Sequence, residues 1–137
     1  SLGPRVASAP RGPRGGERLP RARRITRSGE IRALFRRGKR SRTAHLDVMD
    51  SASPVSYSRV GVVVPRHRHR IVERNLVKRR LREILRRVVL PRLDAAGLSL
   101  DVLVRARREA YGASFAELES ELRSWVEGRC SRASSSR

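Results

Sequence analysis

The sequence predicts a single α+β domain, with its elements in the order α-β-β-α-β-α and packed as a two-layer sandwich. Three segments repeat apolar residues at helical spacing, and three shorter segments are β-branched or alternate apolar with polar residues. The chain has 137 residues, of which 38% are hydrophobic and only 4% are aromatic. This composition suits one domain with one modest core.

Both ends of the chain have the composition of disordered tails. Residues 1–20 are mostly Pro, Gly, Ala, Ser and Arg, which bury too little apolar surface to offset the entropy lost on ordering. Residues 129–137 have the same character. We therefore predict a basic disordered tail at 1–20, a folded domain at 21–128 and a second disordered tail at 129–137.

The first half of the domain predicts one helix and two strands. Ser28 suits an N-cap and Gly38 suits the end of the first helix. The apolar side of this helix consists of Ile31, Leu34 and Phe35. His45–Asp50 alternates polar and apolar residues, which is typical of a half-buried strand. Val60–Val64 is mostly β-branched and predicts a second, more buried strand that ends at Pro65.

The second half predicts a long helix, a strand and a last helix. Helical spacing runs over about Val72–Leu90, and Pro91 is a stop signal. The apolar stripe of this helix consists of Val77, Leu81, Ile84, Leu85 and Val88. Leu98–Val104 predicts a third strand. A capping box at Ser114–Glu117 opens the last helix, whose core side consists of Phe115, Leu118, Leu122 and Trp125.

The charge balance points to a polyanionic partner. Lys and Arg number 33 against 13 Asp and Glu, a formal net charge of +20 that opposes compaction unless an anion neutralises it. Nucleic acid is the favoured partner, and an anionic membrane surface is the alternative. No apolar run approaches the length of a membrane-spanning helix. The single cysteine, Cys130, allows neither an intrachain disulfide nor a cysteine zinc site. We therefore expect a soluble cytoplasmic protein.

The basic residues concentrate on one flank of the long helix. At about 100° per residue, five cations and one amide fall within a sector of about 140° beside the apolar stripe. They are Arg74, Asn75, Lys78, Arg79, Arg82 and Arg86. Like charges four residues apart disfavour an isolated helix, so the pattern indicates an external anion; a merely solvated face is the alternative. Upstream, an extended backbone would project three more cations to one side: Arg66, Arg68 and Arg70.

No arrangement of residues predicts catalysis by the polypeptide. The carboxylates are dispersed, whereas two-metal nucleases place several of them together. His67 and His69 are a weak candidate for a metal site, because no carboxylate or thiolate lies at a fitting spacing. We therefore predict no catalytic residue and no metal site in the protein.

The segment Arg74–Glu83, which reads RNLVKRRLRE, resembles the signature helix of the bacterial ribonuclease P protein family. Further resemblances keep the order and spacing of that family, at Glu30–Lys39, Arg59–Val64, Asp101–Arg107 and Ser114–Leu118. Together they extend from about Leu19 to Gly128. The predicted domain at 21–128 is thus identified as a ribonuclease P protein domain.

This resemblance implies a small mixed sheet with a left-handed β-α-β crossover, against the right-handed rule that most folds obey. It implies a non-catalytic subunit of an endoribonuclease, in which a catalytic RNA removes the 5′ leader from precursor tRNA. The implied partners are that RNA and precursor tRNA, with no membrane and no small-molecule substrate. The protein alone would bind no cofactor, and Mg²⁺ would be held through the RNA.

The resemblance also implies two sets of site residues. Contacts to the catalytic RNA would come from Arg66, Arg68, Arg70, Arg74, Asn75, Lys78, Arg79 and Arg82. A cleft for the single-stranded leader would be lined by Ile31, Phe35, Asp47 and Met49. Phe35 offers a surface for base stacking, with plain core packing as the alternative. The chain departs from residues common in the family at Ile31, Met49, His69 and Leu76.

Three other functions stay open from the residues. A basic ribosomal or ribosome-assembly protein would explain the charge and the helix equally well, but not the series of spaced resemblances. A DNA-binding module would need a helix-turn-helix pair or a zinc motif, and the sequence has no clear instance of either. An RNA-free nuclease is disfavoured by the dispersed carboxylates.

Overall fold

A four-stranded mixed sheet forms the centre of the fold. The computed structural model describes residues 19–135, with side chains as far as Arg132, so most of the predicted tail at 1–20 lies outside the described residues. The main elements are α1 Ser28–Arg37, β1 Lys39–Arg42, β2 Leu46–Ala52, β3 Arg59–Val63, α2 Ile71–Ile84, α3 Leu90–Ala95, β4 Leu100–Ala106 and α4 Phe115–Ser135. Shorter elements are 3-10 turns at Arg21–Arg23 and Arg108–Gly112, and a π-helical turn at Leu85–Val89.

The strands lie in the order β1-β2-β4-β3. β2 pairs antiparallel with both β1 and β4, whereas β3 runs parallel to β4. Parallel neighbours cannot be joined by a tight turn, and here α2 and α3 lie on the connection between them. The predicted α+β class is confirmed, and the left hand of the crossover stays a prediction.

β1 is a strand that the sequence does not predict, and it corrects the order of elements. Its residues are KRSR, so no apolar side marks it as a strand. It forms because it pairs with β2 from Lys39, opposite Asp50, to Arg42, opposite Asp47. β2 is therefore central and buried on both faces, not half-buried as predicted. β3 lies at the edge, and three of its five residues are only partly buried, so the prediction that it is the more buried strand is wrong.

Two apolar clusters lie on opposite faces of the sheet. The larger one packs α2, the π-helical turn, α3 and α4 against one face. Its fully buried helix residues include Leu81, Leu93, Leu118 and Leu122. The smaller cluster packs α1 against the other face, through contacts among Leu34, Met49 and Leu103. The sheet thus separates α1 from the other three helices.

The chain before α1 covers the outer edge of β3. The Ile25 amide donates to the Val60 carbonyl at 2.7 Å, and Arg24 forms a parallel bridge with Val60. Leu19, which falls within the predicted tail, is buried in the larger cluster. This covering segment removes an edge that would otherwise be open to pairing with another chain.

Pro91 does not end the long helix as the sequence predicts. A π-helical turn at Leu85–Val89 precedes it, and the helix continues as α3. In a regular α-helix the proline ring would collide with the carbonyl four residues earlier, whose hydrogen bond it also removes. In the wider turn the Leu90 amide donates to the Leu85 carbonyl, which changes the register immediately before the proline.

The predicted ends of α1 are largely confirmed. Gly38 follows its last residue and donates its amide to the Leu34 carbonyl at 2.9 Å. A Cβ atom at Gly38 would lie 2.6 Å from that carbonyl oxygen, so only glycine fits. The helix begins at Ser28 rather than after it, because Arg27 occupies the N-cap position without a side-chain cap bond.

α4 begins at the predicted capping box and ends later than predicted. Glu117 accepts from the Ser114 amide at 2.8 Å, and the Ser114 hydroxyl accepts from the Glu117 amide at 3.1 Å. The helix then continues to Ser135 through the tail predicted from residue 129. Two tertiary contacts hold it there: Cys130 is buried in the larger cluster, and Arg129 pairs with Asp50 at 3.2 Å.

Gly61 shows how tightly β3 is enclosed. A Cβ atom there would lie 3.0 Å from the Ile25 carbonyl oxygen and 3.1 Å from a Leu103 methyl carbon. Strand propensity alone favours valine, yet we expect Gly61→Val to lower the free energy of unfolding by about 1–3 kcal/mol through overpacking. Urea denaturation followed by circular dichroism measures the change. Gly29→Val is the matched control, because no atom lies within 4 Å of its Cβ position; equal losses would contradict the prediction.

Candidate nucleic-acid interface

The outer flank of α2 carries side chains that the protein leaves unpaired. Asn75, Arg79 and Arg82 are exposed, and Lys78 is half-buried. Within the described part of the chain, none of these four side chains has a hydrogen-bond or ion-pair partner. Burial, together with the nearby charges of Arg82 and Arg74, lowers the pKa of Lys78. The structure therefore brings together the cations that the helical spacing predicts on one flank.

Arg74 and Arg86, also predicted on this flank, have partners within the protein. The Nε of Arg74 donates to the Val64 carbonyl at 2.8 Å, which ties the flank to the end of β3. Arg86 pairs with Glu83 at 2.7 Å and is thus partly neutralised. Glu73, the other acid of α2, accepts from the Arg70 amide at 2.9 Å. Neither acid faces the unpaired cations.

The segment that carries the three loop arginines is not extended throughout, so that part of the prediction is wrong, although Arg70 at the N-cap of α2 keeps an extended backbone. The His69 amide donates to the Arg66 carbonyl at 2.8 Å and closes a turn. His67 and Arg68 have φ values of 47° and 71°, in the left-handed region. Arg66, Arg68 and Arg70 are nevertheless all exposed. Together with Asn75, Lys78, Arg79 and Arg82 they form what we call the basic surface.

Tyr111, which the sequence does not single out, packs against this turn. Its ring lies parallel to that of His69, with the centroids 3.7 Å apart and 8° between the planes. Its hydroxyl donates to the Pro65 carbonyl at 2.7 Å. Tyr111 lies in the 3-10 turn that follows β4, far along the chain from the residues it touches. Sequence spacing holds no signal for this contact.

Three apolar side chains interrupt the polar exterior of α2. Ile71 is 55% exposed, Val72 is 74% exposed and Leu76 is 38% exposed. Val72 and Leu76 lie four residues apart, on the same side of the helix as Asn75 and Arg79. The departure from the family at Leu76 therefore places an apolar side chain on the exterior, not in the core.

The predicted leader cleft lies between α1 and the sheet, and the structure only partly opens it. Ile31 and Phe35 are half-buried on α1. Met49 is fully buried beneath them, and Asp47 is 3% exposed. The Asp47 carboxylate pairs with Arg42 of β1 at 3.1 Å. Of the four predicted cleft residues, only the two on α1 offer surface to a ligand in this conformation.

Arg105 is a cleft residue that the sequence does not identify. It follows Leu103 by two positions on β4, so both side chains point to the α1 face of the sheet. Its guanidinium carbon lies 5.9 Å from the centroid of the Phe35 ring, within cation–π range. The cleft thus offers an aromatic ring beside a cation, the combination that single-stranded nucleic acids use for base stacking and phosphate contact.

A charged cluster attaches α1 to the far end of the sheet. Arg59 donates to both oxygens of Asp101, at 2.9 and 2.7 Å, and to Glu30 of α1 at 3.2 Å. The hydrogen bond to Asp101 is the main reason that the pKa of Arg59 is raised. The cluster fixes the position of the helix that carries Ile31 and Phe35.

A small pocket joins the cleft to the basic surface. It has a volume of about 180 Å³, and its lining includes Arg24, Ile31 and Arg82. Ile31 belongs to the predicted leader cleft, whereas Arg82 belongs to the flank of α2. The two predicted surfaces are therefore adjacent around the covered edge of β3.

The described residues contain neither a metal-binding cluster nor a membrane-spanning helix. From Leu19 to Arg132, no three or more His, Cys, Asp or Glu side chains are grouped so that they could hold a metal ion. His67 and His69 both lie beside Tyr111, and the His69 ring faces Glu73 at 3.0 Å. None of the helices described is long and apolar enough to cross a membrane.

Comparisons with known proteins identify the family of the chain. A family model described as Ribonuclease P matches residues 19–128. The ribonuclease P protein component of Acidothermus cellulolyticus is 37% identical over 105 residues, which cover 75% of this chain and 84% of that protein. The corresponding component of Thermus scotoductus is 42% identical over 88 residues, covering 64% of this chain and only 49% of that protein. The chain thus spans about half the length of this second relative.

A solved structure shows that the fold is shared. The ribonuclease P protein of Staphylococcus aureus superimposes with a TM-score of 0.63, at 21% identity, over 74% of this chain and 90% of that one. The family match spans the predicted domain at 21–128 and favours this identity over a ribosomal or ribosome-assembly protein. The chain belongs to the ribonuclease P protein family.

Proposed function

We propose that the protein is the RNA-binding subunit of a ribonuclease P, which assists a catalytic RNA in removing the 5′ leader from precursor tRNA. The observation that carries the proposal is the unpaired basic surface, found in a chain of the ribonuclease P protein family. Six of its seven side chains have no hydrogen-bond or ion-pair partner among the described residues, the exception being Arg70, whose charge acts on Glu73. We expect RNA phosphates to supply the missing partners.

The basic surface is proposed to bind the catalytic RNA. Double-stranded RNA is recognised largely through its shape and its phosphates, which suits a helix flank with exposed guanidinium groups. Arg79 and Arg82 have the planar fork that pairs with phosphate oxygens at two points. Arg74 belongs to the same contact, although one of its N–H groups is held by the protein.

The cleft is proposed to bind the single-stranded leader. Phe35 supplies a face for one base, and Arg105 beside it supplies a phosphate contact. Ile31 extends the apolar wall towards the pocket that Arg82 lines. Met49 is buried and supports α1 from the sheet, and Asp47 is buried and pairs with Arg42 of β1, so neither is proposed to touch the leader.

The chemistry is proposed to reside in the RNA. Between Leu19 and Arg132, no three or more acidic, His or Cys side chains are grouped so that they could hold Mg²⁺. The Mg²⁺ ions of the holoenzyme are accordingly assigned to the RNA, where they would activate the attacking water. The protein contributes binding and orientation of the substrate.

Reconstituted cleavage tests this proposal. At low Mg²⁺, adding the protein to the ribonuclease P RNA of Acidothermus cellulolyticus should raise the rate of leader removal from precursor tRNA, because the protein neutralises phosphates that Mg²⁺ otherwise screens. Gel analysis of the released leader measures the rate, and the RNA alone at high Mg²⁺ is the positive control. No stimulation by the protein, or robust cleavage by the protein without RNA, would contradict the proposal.

The basic surface predicts a specific loss of RNA affinity. We expect Arg79→Ala with Arg82→Ala to weaken binding to the catalytic RNA and to lower the slope of log affinity against log salt by about one per contact removed. Fluorescence anisotropy at several salt concentrations measures both quantities. The charge-matched control is Arg92→Ala with Arg123→Ala, whose guanidinium groups pair with Glu127 and Glu119. Equal slopes for the two double variants would mean that the surface is only solvated.

The cleft predicts a loss that depends on the leader. Phe35→Leu keeps apolar volume but removes the aromatic face. Since one stacked base contributes about 1–3 kcal/mol, the affinity of the holoenzyme for precursor tRNA should fall at least about fivefold. Binding of mature tRNA, which has no leader, should be unchanged in the same filter-binding assay. Phe115→Leu, on α4, is the control. A similar loss for both tRNAs would show disturbed packing and not a leader contact.

A further inference from the structure

We propose that Tyr111 is the positioning residue of the basic surface, because its ring and hydroxyl hold the Arg66–His69 turn in the shape that presents Arg66 and Arg68 to RNA. This inference rests on the proposed function, since it concerns how the same RNA-binding surface is shaped. Tyr111 is half-buried and lies where the chain leaves β4, beside the start of the α2 crossover. Its ring and hydroxyl contact the turn, and the charges of Glu73 and Arg74 at the start of α2 lie nearby.

The turn does not hold its shape through its own backbone preferences. His67 and Arg68 both adopt left-handed φ values, which a Cβ atom makes unfavourable. Two such residues in succession are normally a place for glycine or asparagine. The positive charges of Arg66, Arg68 and Arg70 also repel one another. The observed conformation therefore needs support from outside the turn.

Tyr111 supplies that support at three points. Its ring stacks face to face on His69, and the His67 ring meets it edge-on, with the centroids 6.3 Å apart. Its hydroxyl donates to the Pro65 carbonyl immediately before the turn. Burial raises the pKa of Tyr111, so the phenol stays protonated and remains a donor at neutral pH. The two ends of the turn are thus fixed to one side chain.

The supported turn carries cations that the protein does not use. Arg66 and Arg68 are exposed, and neither side chain has a hydrogen-bond or ion-pair partner within residues 19–132. On the α2 side, Glu73 accepts from the Arg70 amide and faces the His69 ring, so hydrogen bonds also join the turn to the start of the helix. Without the stack, the turn would sample other conformations, and RNA binding would have to order it.

A double-mutant cycle on RNA affinity tests the inference. Anisotropy titrations of the Acidothermus cellulolyticus ribonuclease P RNA compare wild type, Tyr111→Ala, Arg66→Ala with Arg68→Ala, and the combination of all three. We expect Tyr111→Ala to weaken binding about threefold to tenfold and to lower the salt slope by about one. In the background that lacks both arginines, the same change should weaken binding less than about twofold, because the groups it positions are absent.

The controls separate positioning from stability. Tyr111→Phe keeps the stack and should retain most of the affinity, whereas Tyr57→Ala, on the loop between β2 and β3, should change neither affinity nor salt slope. If Tyr111→Ala loses its helical circular dichroism signal, His69→Ala removes the same stack from the turn and completes the cycle. Equal losses in both backgrounds would overturn the inference. No binding by the wild-type protein would instead refute the proposed function, so the two failures are distinguishable.

Discussion

β3 and β4 pair in parallel, and this pairing requires the chain between them to pass from one end of the sheet back to the other. α2 lies on that connection, and its apolar stripe packs on the sheet, so the opposite flank is turned outward. Because parallel strands end at the same edge, the turn after β3 and the 3-10 turn after β4 are neighbours. Tyr111 and His69 meet for this reason.

The acids of this chain, whose formal charge is +20, are all engaged where the structure describes them. Each acidic residue from Glu30 to Glu127 forms a hydrogen bond or ion pair within the described chain. Several of these pairs join elements: Arg59 and Asp101 secure α1, and Arg129 and Asp50 secure α4. These pairs neutralise arginines at packing contacts, whereas most side chains of the basic surface have no such partner.

In the leader cleft, the sequence pattern predicts the residues on α1 correctly, whereas the exposure of the residues on the sheet depends on tertiary contacts. Helical spacing correctly places Ile31, Leu34 and Phe35 on one side of α1, since side chains three and four residues apart share a face. Met49 is buried by its contacts with Leu34 and Leu103, and Asp47 pairs with Arg42 of β1. The sequence of β1, KRSR, carries no apolar signal for a strand. The sequence does not distinguish Arg105 from the other arginines. The strand register places it beside Phe35.

The sequence by itself determined the α+β class, the principal helices and the positive flank of α2, because all of these follow from periodicity and charge along one segment. It also carried the family resemblance in its spaced motifs. Only the tertiary structure decided which strand is central, how the helix continues past Pro91, and which contacts accompany the left-handed φ values of His67 and Arg68. Those outcomes depend on groups distant in the chain, such as Tyr111 against His69, and contacts of that kind leave no periodic trace in the sequence.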